Sequence, residues 1–122
     1  EVNGLDEARE FSVVSDTDGK TYFISLLEPS EPEVGINDIE FTVHYRENMM
    51  SFPAAENLTI TIEPEMPSMG HGSPNNVNPT HIGNGHYKGK VNFTMTGWWR
   101  VNIDVSKDGE PIGNDLSFDI TF

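Results

Sequence analysis

Hydrophobic and polar residues alternate along most of this chain, a period of two that is typical of β-strands with one buried face. Five runs show it clearly: Ile39 to Tyr45, Leu58 to Ile62, Val91 to Met95, Trp99 to Val105 and Leu116 to Phe122. Two shorter apolar runs are Phe11 to Val14 and Thr21 to Leu27. No convincing helical period competes with them, so the pattern predicts an all-β protein.

Turn-forming residues separate the predicted strands. They fall at Asp16 to Gly19, Pro29 to Gly35, Gly83 to Gly85 and Lys107 to Gly109. Short strands that are polar on one face pack best as two antiparallel sheets. We therefore predict an immunoglobulin-like antiparallel β-sandwich of about seven to nine strands, built as a single domain over residues 1–122. We expect the first turn to join the first two strands as a hairpin.

The segment from Pro64 to Gly85 departs from this alternation. It contains four prolines, four glycines and four asparagines, and only a short piece around Val77 to Ile82 resembles a strand. It also contains two of the five methionines and two of the four histidines, and a third histidine, His86, follows directly. A connection of this length in a compact domain is usually either functional or disordered.

The residue types in this segment indicate metal chemistry. Met66, Met69 and His71 place two thioethers and one imidazole within six residues. Thioether sulfur is soft and needs no deprotonation, so it favours Cu(I), while imidazole also suits Cu(II) and Zn(II). Two histidines flank the Gly83 to Gly85 turn and would approach His71 if the segment folds back. We predict a copper site drawn from Met66, Met69, His71, His81, His86 and Met95.

Composition narrows the classes of function. The net charge of −13 repels phosphate backbones and anionic membranes, so neither nucleic acid nor a membrane surface is an expected partner. Without cysteine there are no disulfides or thiolate sites, and a Met/His site suits an oxidising compartment. No apolar run is long enough to span a bilayer. No nucleophile elbow, phosphate loop or zinc-protease histidine pair is present, so we do not expect an enzyme.

A packing role competes with the metal hypothesis for two methionines. Met66 continues the apolar register of Leu58 to Ile62, and Met95 continues that of Val91 and Phe93. Methionine fills irregular gaps in a core well. The alternative function is therefore a structural or protein-interaction sandwich without metal, in which His71 donates hydrogen bonds to loop carbonyls. Register explains neither Met69 nor His71.

Two further functions are compatible with parts of the sequence. In a carbohydrate- or peptide-binding sandwich, Trp98 and Tyr87 would form an aromatic platform, which requires both on one exposed face. Alternation instead assigns Trp99 to the core. Ser15 to Gly19 resembles the start of a calcium loop, but the bidentate glutamate at the required spacing is missing, so a plain hairpin turn is the preferred interpretation.

Three strings in order resemble the YtkA-like domain family and, more distantly, the FixH-like proteins. They are Glu65 to His71, Gly85 to Tyr87 and Phe93 to Trp99. These match a loop of the form MPxMGH, a strand entry G-x-Y and a step M-x-G-x-W into the next strand, with Trp99 at the tryptophan position. Leu27-Glu28-Pro29 and Gly35-Ile36-Asn37 resemble the family's opening strand and turn. The resemblance covers about residues 20–106.

The resemblance implies an immunoglobulin-like sandwich that is secreted or membrane-anchored in bacteria and that accompanies copper-handling components. It implies a copper role for Met66, Met69, His71 and Met95. We accordingly expect a periplasmic or extracellular location, with copper-handling envelope proteins as partners. We also expect a full-length precursor with a signal or lipid anchor ahead of Glu1. Ser73 to Thr80 expands the family's loop, which leaves open where His81 lies relative to the motif.

Overall fold

A computed structural model of the protein describes residues 10–15 and 18–122. In chain order its strands are β1 (Glu10–Val14), β2 (Thr21–Glu28), β3 (Gly35–Tyr45), β4 (Leu58–Met66), β5 (His71–Gly72), β6 (Val77–Gly83), β7 (His86–Phe93), β8 (Trp98–Lys107) and β9 (Glu110–Thr121). One sheet has the order β1-β2-β3-β7-β6 and the other β5-β4-β8-β9, and every pair within them is antiparallel. The predicted all-β sandwich is confirmed.

The core lies between the two sheets and follows the alternation of the sequence. In β4 the inward residues Leu58, Ile60 and Ile62 are at most 9% exposed, whereas the two threonines between them and Glu63 after them face solvent. In β8 the inward side begins with Trp99, which is completely buried. Because a slip of one residue would turn every inward side chain to solvent, this pattern fixes the pairing of β4 with β8. Within the described residues, no helix is long and apolar enough to cross a membrane.

The strand that was predicted to reach Met95 ends at Phe93. The chain then leaves the sheet through residues 94–97. Gly97 has a φ of 136°, a backbone conformation that residues other than glycine rarely adopt. Met95 lies in this connection and is 40% exposed. The core position that its register predicted is therefore wrong, because the connection to β8 begins before Met95.

The long segment after β4 is held in place by asparagine side chains. The Ile62 amide donates to Asn78 Oδ1 over 2.9 Å, and the Asn92 amide donates to Asn76 Oδ1 over 2.8 Å. These side chains supply acceptors to main-chain groups at strand edges that would otherwise lack a strand partner. The strand suspected around residues 77–82 is confirmed as β6.

The first hairpin is confirmed by the pairing of β1 with β2, where Val14 lies opposite Thr21. Asp16 and Thr17 of its turn lie outside the described residues. The carboxylate of Asp18 accepts the Lys20 amide and the Tyr22 hydroxyl over 2.9 and 2.8 Å. Partial burial acts to raise the pKa of Asp18, but these hydrogen bonds hold it below its ordinary value. Both Asp18 oxygens therefore serve the turn, which favours a plain hairpin over a calcium loop.

Tyr87 is completely buried and binds the main chain of the connection that leads into β4. Its hydroxyl donates to the Ala55 carbonyl over 2.8 Å and accepts the Leu58 amide over 3.2 Å. Burial raises the pKa of Tyr87. Trp98, by contrast, faces outward from β8. The hypothesis of an exposed platform formed by these two aromatic residues is therefore wrong.

We expect Tyr87→Phe to lower the free energy of unfolding by about 1–3 kcal/mol, because two main-chain groups in the interior would lose their partner. Urea denaturation of the two proteins measures the difference. Tyr45→Phe, at a half-buried tyrosine, is the matched control and should cost less. Equal stability of Tyr87→Phe and the unaltered protein would contradict the assignment.

Candidate metal centre

The motif at residues 66–71 forms a tight reversal at one end of the sandwich. The Met66 carbonyl accepts the amides of Met69 and Gly70 over 3.0 and 2.8 Å. Gly70 has a φ of 70°, which permits the chain to turn back at once. His71 then begins β5 directly opposite Met66. Met69 and His71 therefore lie on either side of a single glycine at this reversal.

Met66 packs into the core. Its side chain is 2% exposed and belongs to the main hydrophobic cluster. A Cβ added to Gly97 would lie 2.7 Å from Met66 Cε, so this methionine fills the space beneath a glycine that cannot carry a side chain without displacing it. The packing role predicted from the register of β4 is confirmed.

Met69 and His71 lie outside the core. Met69 is 56% exposed, and the His71 side chain is also exposed. Neither side chain is needed to fill the interior, in contrast to Met66. This agrees with the sequence pattern, in which register explained neither residue.

The His71 ring has a defined hydrogen-bonding state. Its Nδ1 lies 3.0 Å from the Gly72 carbonyl oxygen, which can only accept. This hydrogen bond requires the proton on Nδ1, and in a neutral ring of that tautomer Nε2 keeps its lone pair. A metal-binding histidine commonly donates its other ring N–H to a backbone carbonyl in this way. The same bond was expected by the packing hypothesis, so the geometry satisfies both.

Met95 approaches this end of the sandwich from the β7–β8 connection. Its carbonyl accepts the Trp99 indole Nε1–H over 2.9 Å. The Trp99 ring also meets the His71 ring edge-on, with ring centroids 6.2 Å apart and an angle of 76° between the planes. His71 and Met95, 24 residues apart in the sequence, thus contact the same buried indole.

His81 and His86 lie at the opposite end. His81 is paired with Tyr87, whose hydroxyl contacts the first residue of β4, whereas Met66 is the last residue of that strand. At about 3.3 Å per residue, these two points are about 26 Å apart. The second half of the inserted residues 73–80 runs as the start of β6 along β7 instead of folding back, and this carries His81 away from the motif. The structure therefore does not bring the six predicted ligands together.

Both of these histidines have partners of their own. His81 Nε2 accepts the Gly85 amide over 3.1 Å, and its ring packs against Tyr87 at a centroid distance of 5.0 Å. His86 Nδ1 lies 2.7 Å from a Glu40 carboxylate oxygen. His81 and His86 therefore do not join the predicted copper site, and their contacts in the turn and the sheet account for their positions.

A shallow cleft of about 360 Å³ lies beside His71. It is lined by Glu63, Glu65 and Asn102 among others, and Asn102 donates to a Glu65 carboxylate oxygen over 2.8 Å. Over residues 10–15 and 18–122, no three histidine or carboxylate side chains are placed to hold one metal ion. The potential donors at this end of the sandwich include the His71 imidazole, the exposed Met69 and Met95 thioethers, and the carboxylates of Glu63 and Glu65.

Comparison with known proteins identifies the class. The YtkA-like family matches residues 16–104. The chain therefore belongs to the YtkA-like family, as the motif order predicted. Among solved structures, a copper-bound variant of FetP from uropathogenic Escherichia coli matches with a TM-score of 0.47 and 16% identity, over 93% of this chain and 92% of that one. A search of curated proteins finds no match.

The sequence predicted that His71 donates to a backbone carbonyl but did not identify Gly72 as the acceptor, and it did not reveal the bond from the Trp99 indole to Met95. Alternation identified Trp99 only as a core residue. A signal was nevertheless available, since a buried indole N–H needs an acceptor and the turn at Gly97 lies close by in sequence. Which carbonyl accepts depends on the path of residues 94–97, and periodicity cannot supply that path.

We expect neutral His71 to carry its proton on Nδ1 in the folded protein, because the Gly72 carbonyl accepts there. Long-range ¹H–¹⁵N NMR of the ring nitrogens measures this directly. The same protein unfolded in urea is the reference, since its backbone geometry at residues 71–72 is lost. A folded-state spectrum with the proton on Nε2 would contradict the arrangement and would leave no lone pair at the exposed nitrogen.

Proposed function

We propose that this YtkA-like domain is an extracytoplasmic binding module that holds copper as Cu(I). The proposed ligands are Nε2 of His71 and the thioethers of Met69 and Met95. The observation that carries the proposal is the hydrogen bond from His71 Nδ1 to the Gly72 carbonyl, which leaves the exposed Nε2 with a free lone pair. Met69 precedes His71 by only two residues in the tight turn that begins at Met66, and this short separation supports its choice as a second ligand.

The chemistry of these donors supports the proposed metal. Thioethers are soft and neutral, and together with imidazole they suit Cu(I) better than a hard cation. They also stay competent where thiols would form disulfides, which fits a chain without cysteine in an oxidising compartment. We therefore place the domain in the periplasm or outside the cell, with copper-handling envelope proteins as its partners.

Exposure separates proposed ligands from packing residues. Met69 and Met95 are 56% and 40% exposed, whereas Met66 is buried and packs beneath Gly97. We assign Met66 the structural task of fixing the start of the turn. Its thioether is not one of the proposed ligands, although the motif includes it.

We propose binding without catalysis. A thioether carries no exchangeable proton and acts as neither acid nor base, so two of the three proposed ligands have no role in proton transfer. The Nδ1 atom of the imidazole is occupied by its hydrogen bond to the backbone. The arrangement is suited to holding and releasing an ion.

A structural or protein-interaction module is the second candidate. The burial of Met66 and the bond between His71 and Gly72 favour it, since both stabilise the turn without a ligand. The two candidates differ in linkage: an ion that binds only the folded state raises the melting temperature, and a purely structural turn gives no such rise.

The test is a titration of the protein with Cu(I) against a competing chelator in the absence of oxygen. We expect Met69→Ala/His71→Ala to weaken binding by roughly a hundredfold, the upper range seen when even an outer-shell partner of a metal site is removed. Met49 and Met50 are about 90% exposed, and their segment pairs with the last residues of β3, which places it at the other end of the sandwich. Met49→Ala/Met50→Ala is therefore the matched control and should bind like the unaltered protein.

Met66→Leu is a second control, because it removes a thioether while approximately keeping the buried volume. We expect it to leave Cu(I) affinity unchanged. Binding by Met69→Ala/His71→Ala as tight as that of the unaltered protein would contradict the proposed site. Equal losses in the Met49/Met50 variant would mean that exposed methionine alone, at any position, accounts for binding.

A further inference from the structure

Trp99 lies between the two chain segments that carry the proposed ligands. It is completely buried and also packs on Phe93, with ring centroids 5.3 Å apart. On one side its indole N–H donates to the Met95 carbonyl, and on the other its ring meets that of His71. A single side chain from β8 thus contacts the β7–β8 connection and the start of β5.

The connection that carries Met95 is fixed through its main chain. The Gly97 amide donates to the Phe122 carbonyl over 2.9 Å, and the Phe122 amide donates back to the Gly97 carbonyl over 3.2 Å. Together with the Trp99 bond, these contacts hold both Met95 and Gly97. The partly exposed side chain of Met95 therefore extends from a backbone segment that three hydrogen bonds hold in position.

The adjacent tryptophan has none of these contacts with the motif. Trp98 faces away from the core, and the Arg100 guanidinium lies over its ring at 5.3 Å. The two neighbouring indoles thus differ in environment while sharing chemistry. A buried indole N–H requires some acceptor, and the acceptor that Trp99 uses is the main chain of a proposed ligand.

We infer that Trp99 is a positioning residue for the proposed copper site, holding Met95 through its indole N–H and orienting His71 through its ring. This inference rests on the proposed function. Ligands that are held before the ion arrives lose less conformational freedom on binding, so affinity depends on the supporting contacts as well as on the donors. Trp99 would thereby bring ligands from two separate chain segments into one site.

The experiment compares Trp99→Phe with two controls. Trp99→Phe keeps an aromatic ring and removes the indole N–H. Trp98→Phe makes the same change one residue away, on the outer face. Val105→Ala loosens the core at the far end of the same strand, where Val105 is 1% exposed and pairs with Ile60. Each protein is titrated with Cu(I) against a competing chelator, and methionine methyl NMR signals are recorded before and after loading.

We expect Trp99→Phe to weaken Cu(I) binding by roughly ten- to hundredfold, as for other supporting partners of metal ligands. In the unaltered protein, Cu(I) should shift the methyl signals of Met69 and Met95. In Trp99→Phe the Met95 shift should be lost and the Met69 shift retained. Trp98→Phe should bind normally, and so should Val105→Ala in spite of a lower melting temperature. Loss of stability alone does not produce this separation between two methyl signals.

Three results would overturn the inference, and they differ in what else they overturn. If the unaltered protein binds Cu(I) and Trp99→Phe binds it equally well with the same methyl shifts, Trp99 is only a core residue and the proposed function stands. If the unaltered protein does not bind Cu(I), the proposed function fails and the role of Trp99 at the metal fails with it. Amide exchange at residues 94–97 in the metal-free proteins shows in either case whether the indole N–H holds the connection, and no faster exchange in Trp99→Phe would also overturn the inference.

Discussion

The packing of Met66 and Trp99 at one end of the sandwich is the constraint on which the candidate site depends. Both are buried on neighbouring strands, β4 and β8. Met66 lies beneath Gly97, and Trp99 binds the carbonyl of Met95. These two contacts set where the turn after β4 and the connection after β7 leave the core. The positions of the exposed donors on those two segments therefore depend on how Met66 and Trp99 pack in the core.

This arrangement divides the methionines of the chain by task. Met66 contributes apolar volume, and its main-chain carbonyl anchors the turn that carries Met69. Met69 and Met95 contribute little to the interior. A sequence motif that contains several methionines can therefore combine a packing residue with residues available for a ligand, and solvent exposure separates the two.

The fold was predictable because alternation is a local property that the core enforces along each strand. The inward residues of β4 and β8 were identified correctly from period alone. The fate of Met95 was not predictable in this way, because the strand ends at Phe93 where the chain must turn into β8. The positions of His81 and His86 depended on whether residues 73–80 fold back or extend as a strand. Asparagine side chains settle this by supplying acceptors to the amides of Ile62 and Asn92, which sequence periodicity does not reveal.

We propose that soft sulfur donors and one imidazole bind a single Cu(I) ion at the Trp99 end of the sandwich. X-ray absorption at the copper edge of the Cu(I)-loaded protein can test this ligand set, because the method distinguishes sulfur from nitrogen or oxygen among the atoms bound to the metal. We expect a mixed signal of sulfur and nitrogen neighbours, with part of the sulfur contribution lost in Met95→Ala. A spectrum that contains only nitrogen and oxygen neighbours would contradict it.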